Sequence, residues 1–159
     1  MSHVQKSSGK SKRSKSKSAG FSEQERAAIK ERAAELKAEG SGGRGSKKAA
    51  GERDVLSAIA EMPQPDRGLA ERVHAIITAV ASDLSPKLWY GQPAYAKDGK
   101  VVCFFRSAEK DETRYSTFGF TDQAKVDKGG MWPTAYALTK LSKADEATLG
   151  ALVKKASRA

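Results

Sequence analysis

The tetrapeptide Lys97-Asp98-Gly99-Lys100 constrains this chain more than any other short stretch. An Asp-Gly pair between two apolar-rich runs is the favoured two-residue connection of an antiparallel hairpin, because both positions need a positive φ. The reversal predicts a hairpin over 94–107, AYAKDGKVVCFFRS, with Ala96 opposite Val101, Tyr95 opposite Val102 and Ala94 opposite Cys103. Alternation then sorts the side chains. One face carries Ala94, Ala96, Val101, Cys103 and Phe105, and is expected to meet helices. The other carries Tyr95, Lys97, Lys100, Val102, Phe104 and Arg106. A sheet face without a helical cover usually turns polar. Because this one keeps Tyr95 and Phe104, it reads as a partner-binding surface formed by Tyr95, Lys97, Phe104 and Arg106, with Trp89 and Trp132 at its border. Cover by loops or by the N-terminal segment is the alternative. A one-residue slip in register would exchange the two sets.

The flanking segments supply the other layer. DVLSAIAEMP predicts a short helix starting at Asp54. A second helix opens at Pro65-Asp66, where proline suits the first turn and an acid suits the dipole. Its Leu69, Val73, Ile76 and Val80 form one helical stripe. LWYG (88–91), TRYSTFGF (113–120) and MWPTAYALTK (131–140) read as strands. LSKADEATLGALVKKASRA reads as a C-terminal helix, with Ser142 and Asp145 as a capping box. Helices, then a strand meander, then a helix predict an α+β domain over 54–159: an antiparallel sheet of about four to five strands with helices on one face.

Composition separates this domain from what precedes it. Residues 1–53 hold 14 Lys/Arg and 6 Asp/Glu, whereas 54–159 hold 15 and 13. Residues 1–20, nearly all Ser, Lys, Gly and Arg, cannot bury enough apolar surface to offset chain entropy and are expected to be a disordered basic tail. Lys10, Lys12, Arg13, Lys15 and Lys17 would contact polyanions there, giving weak, salt-sensitive, non-specific nucleic-acid binding. Residues 21–40 predict a charged helix, loosely attached because Ile29 and Leu36 are its only large apolar residues after Phe21. Gly- and Ser-rich 41–53 reads as a flexible linker.

Several function classes lack their residues. The lone cysteine, Cys103, fits a reducing compartment. The first residues carry charge without a following apolar run, and no stretch approaches a membrane span, so a cytoplasmic protein with no membrane association is expected. With His3 in the tail and His74 on a helix, zinc and haem sites lack ligands. No nucleophile elbow, phosphate-binding loop or dinucleotide fingerprint occurs, so no catalytic residues are assigned and the chain reads as non-enzymatic.

SPKLWYGQPAYAKDGKVVCFF, with RYSTFGF and MWPTAYAL, resembles the YdhG-like family, a group of small bacterial proteins described largely as a domain of unknown function. The shared element is an aromatic-Gly-x-Pro-x-aromatic stretch, matched by Tyr90, Gly91, Pro93 and Tyr95; Gln92 stands where the most similar subgroup commonly has Met. The resemblance covers roughly 54–158. It implies a frataxin-like α/β sandwich and, as for some members, an iron chaperone that hands iron to protein partners. In frataxin-type binding the iron sits on an acidic ridge of the first helix and a nearby strand. The acids at that place here are Glu61, Asp66 and Glu71, among Arg67 and Arg72.

Overall fold

A computed structural model describes residues 23–39 and 44–158. The tail, with its five polyanion-contact residues, lies outside them. Helix α1 spans Glu23–Glu39, α2 Arg44–Ala60, α3 Asp66–Val80, α4 Ala108–Asp111 and α5 Lys143–Ser157. The strands are β1 Ser85–Trp89, β2 Gln92–Lys97, β3 Lys100–Arg106, β4 Ser116–Phe120 and β5 Ala135–Leu138. They form one antiparallel sheet in the order β1-β2-β3-β4-β5, the meander expected of an α+β chain. No helix among the described residues is long and apolar enough to cross a membrane.

The segment expected as a linker is a correction. Residues 44–53 are helical and continuous with the helix expected from Asp54. Composition misled because Gly45, Ser46 and Gly51 weigh against Lys47, Lys48, Ala49 and Ala50, all acceptable helix residues. Packing decides the case. A Cβ at Gly51 would collide with the backbone carbonyl oxygen of Pro86, so α2 lies hard against β1 at that point. Val55 and Ile59 of α2 are buried one and two turns farther on.

Both turns flanking β2 hold two residues in the left-handed region: Tyr90 and Gly91 at φ 55° and 77°, Asp98 and Gly99 at φ 51° and 81°. The Asp-Gly turn and its first two pairs, Lys97–Lys100 and Ala96–Val101, stand where the sequence predicts them. Then the ladder shifts. Tyr95 pairs with Cys103 and Ala94 with Phe104, leaving Val102 as an extra residue on β3. Such a bulge moves every pair beyond it by one residue.

The bulge corrects half of the expected face assignment. Cys103 and Phe105 face the helices, as expected, and are completely buried. So does Tyr95, which was expected on the open face; only 1% of it is exposed. Across the sheet the same face carries Phe118 and Phe120, paired with Phe105 and Cys103. These join Val55 and Ile59 of α2, Leu69, Val73 and Ile77 of α3, and Leu149, Val153 and Ala156 of α5 in one core. Burying such a set, at about 1.5–3 kcal/mol per large side chain, is the main force holding the layers together.

Polar contacts also hold the layers, three of them around Tyr95 and Lys97. The Tyr95 hydroxyl is hydrogen-bonded to Nδ1 of His74 on α3 at 2.9 Å, and His74 Nε2 lies 3.5 Å from the Glu52 carboxylate on α2. Burial, with the Cys103 thiol and Glu52 nearby, raises the Tyr95 pKa far above that of an ordinary phenol. The third contact is Lys97, another residue expected on the open face. Its Nζ donates to the Ser157 carbonyl at the end of α5 (2.8 Å) and lies 3.4 Å from Asp83. A cation at a helix C-terminus offsets the partial negative charge there.

Candidate binding cleft

Asp54, Ser57 and Ala58 recur at helical spacing on one stripe of α2, and Glu61, in the turn just past its end, continues that stripe. The stripe faces a cleft of about 440 Å³. Opposite it stand Leu88, Gly91 and Gln92 around the β1–β2 turn, and Ser107, Glu109 and Lys110 at α4; Glu31 of α1 closes one side. Four carboxylates therefore ring the cleft, and Lys110 is the one base among the described residues that line it. Lys110 is already engaged, its Nζ donating to Glu31 (2.9 Å) and to the Gly91 carbonyl (3.2 Å).

The wall is held by a buried network rather than by apolar packing alone. Gln92 is 2% exposed. Its Oε1 accepts from the Ser107 backbone N–H (2.6 Å), and its Nε2 donates to Asp111 (2.9 Å). Asp111 also takes both arms of Arg106, at 2.7 and 3.0 Å. Asp66, buried at the start of α3, accepts from the Ser107 hydroxyl (2.7 Å), the Glu109 N–H (3.0 Å) and the Ser116 hydroxyl (3.3 Å). Bonds of this kind to a charged acceptor are stronger than neutral ones. They fix helix α4, which carries Glu109 and Lys110.

The three acids expected to take a metal are not brought together. Glu61 lines the cleft. Asp66 is buried and spent on α4, and Glu71 is exposed on α3 outside the cleft. Among the described residues, no group of three or more His, Cys, Asp and Glu is placed to hold a metal ion. The sequence reading missed Glu31, Asp54 and Glu109. The spacing of Asp54 to Glu61 was a usable signal, but only on a helix already running before Asp54.

The expected partner surface is likewise smaller than the sequence suggested. Trp132 packs against the core. Tyr95 and Lys97 face the helices, and Arg106 is clamped by Asp111. On the open face Trp89 and Phe104 remain, half-buried, with ring centroids 5.5 Å apart; Tyr90 lies 5.5 Å from Trp89 and is 39% exposed. Of the four family-motif positions, Tyr90 and Gly91 make the turn at the cleft, while Pro93 and Tyr95 are buried in β2. No family model, curated protein or solved structure matches this chain.

Proposed function

We propose that this protein is a non-enzymatic carrier whose cleft receives a cationic cargo, iron in the reading that the family resemblance implies, and that it passes this cargo to a protein partner. The observation that carries the proposal is the ring of Glu31, Asp54, Glu61 and Glu109 around one cleft. Asp54 on α2 and Glu61 just past its end are seven residues apart, roughly 10 Å at helical rise. Carboxylates so spaced attract a hydrated ion without chelating it. An ion held through its water shell leaves readily, which suits a cargo that must be given up. The partly exposed corner of Trp89, Tyr90 and Phe104 beside the cleft is the partner's docking surface in this reading.

Calorimetric titration of ferrous iron into the full chain under anaerobic conditions tests it. The triple variant Asp54→Asn, Glu61→Gln, Glu109→Gln should bind about tenfold more weakly or worse, since each carboxylate contributes on the order of 1 kcal/mol to an ion a few ångströms away in water. Glu71→Gln should leave binding unchanged. Absence of iron binding by the parent removes the proposal, and equal affinity for spermidine withdraws iron in favour of cations generally.

The second reading, a nucleic-acid-associated accessory protein, rests on the basic tail and is favoured by how charge is distributed over the folded part.

A further inference from the structure

Charge in this molecule is sorted along the strands. Four contacts tie together the end that carries the Asp98-Gly99 turn. Lys48 donates to the Ser82 carbonyl (3.0 Å), Asp83 lies by Lys97, Lys97 donates to the Ser157 carbonyl, and Lys155 donates to the Asp127 carbonyl (3.1 Å). On these segments stand Lys47, Lys48, Lys97, Lys100, Lys125, Lys128, Lys154, Lys155 and Arg158, all exposed but the half-buried Lys97. The acids among them are Asp83, Asp98, Asp122 and Asp127, for a net charge of +5. Residues 1–22 contribute +6, so the remaining residues from 23 onward sum to −1 and complete the total of +10. The whole positive excess of the folded part is gathered at one end, opposite the acidic cleft.

We propose that this end is a second binding surface and that it takes the phosphate backbone of a nucleic-acid duplex, independently of the cleft and of the tail. Lysines are point charges on flexible stems. Eight of the nine bases are lysines, which suits backbone neutralisation with counterion release and not the reading of base edges. An anionic membrane is the weaker fit. Among the large exposed apolar side chains of the described residues, only Val80, which ends α3, and Met131, in the β4–β5 connection, belong to this end, while Ile29, Leu56 and Tyr90 lie elsewhere.

The test keeps the full chain, tail included. Binding of a short mixed-sequence DNA duplex is measured by fluorescence anisotropy between about 50 and 200 mM salt for the parent and for Lys47→Gln/Lys100→Gln/Lys128→Gln/Lys154→Gln. These four side chains are exposed and make no hydrogen bond or ion pair among the described residues, so the fold should persist. Each lost phosphate contact lowers the slope of log K against log salt by about 0.9. The variant should lose roughly 2–4 units of slope and at least about tenfold in affinity near 150 mM salt. A control variant removes the same charge elsewhere, with Arg67, Arg114, Lys140 and Lys143 each changed to Gln, and should keep the parent's slope. Parental slope and affinity in the first variant, or an equal loss in the control, overturns the proposal. So does binding to phosphatidylserine vesicles without binding to the duplex. Should the fourfold variant melt early, Lys128→Glu and Lys154→Glu, made singly, read the same slope.

Discussion

The two turns that bound β2 have nearly the same backbone and opposite surroundings. At Asp98-Gly99 a Cβ on the glycine would meet open space, and the turn ends in solvent at the basic end. At Tyr90-Gly91 the same Cβ would collide with the side chains of Glu31 and Lys110, and the Gly91 carbonyl accepts from Lys110. Local chemistry makes a two-residue reversal in both places, because glycine accepts positive φ without strain. What is packed against the reversal decides whether it is only a turn or also the wall of a cleft.

The largest effect that sharpens this contrast lies on the strand between the turns. Tyr95→Ala should cost about 3–5 kcal/mol in urea denaturation, as expected for a buried aromatic, with Phe104→Ala costing clearly less. The reverse order would mean that no bulge separates the two ends of the hairpin. Next come the glycines. Gly99→Ala should cost about 1–2 kcal/mol through the left-handed backbone alone. Gly91→Ala should cost about 1 kcal/mol more, because Lys110 and Glu31 must also move. Equal losses would break the comparison.

Alkaline pH gives a smaller, graded effect. Burial raises the Cys103 thiol pKa, and burial foremost raises that of the Tyr95 phenol. Both groups are held neutral in the fold. Their contribution is complete below the unfolded-state values, about 8.5 and 10, and is lost as pH climbs above them. Stability should fall by up to about 1.4 kcal/mol per pH unit between about 8.5 and 10 and by up to about twice that above 10, with Cys103→Ala removing the first part of the decline. A flat profile to pH 9.5 would place the thiol in water. The smallest effect is acid-dependent. The backbone N–H of Ser142, and then its hydroxyl, lower the Asp145 pKa at the start of α5. That stabilisation is present above the unfolded value near 3.9 and fades as pH falls through the lowered one. Asp145→Asn should therefore flatten the melting-temperature profile below about pH 4, and an unchanged profile would refute the cap.

Legibility followed the range of the deciding interaction. The Asp-Gly turn and the Ser142–Asp145 cap are set by neighbours in sequence and stand as expected. Of the stripe expected on α3, Leu69 and Val73 are buried, but Ile76 is half-buried and Val80 exposed, and Ile77 enters the core in their place. Residues 44–53 were misread because Gly51 looks like a helix breaker until β1 is seen beneath it. Tyr95 was placed on the wrong face because nothing local marks Val102 as the extra residue. The cleft was read least. Of the acids expected there, only Glu61 lines it, since Asp66 is drawn inward by Ser107 and Ser116, partners 41 and 50 positions away.

Helix α2 behaves as a beam whose tightest bearing point is Gly51, with Val55 and Ile59 packed into the core beyond it. Lys47 and Lys48 ride on one arm and Asp54 on the other, with Glu61 just past its end, and at Gly51 between them the helix sits directly on the β1 backbone. A single methyl group at residue 51 would lift the beam at its support and tilt both arms, so the smallest possible enlargement of that side chain would be felt at both ends of the molecule.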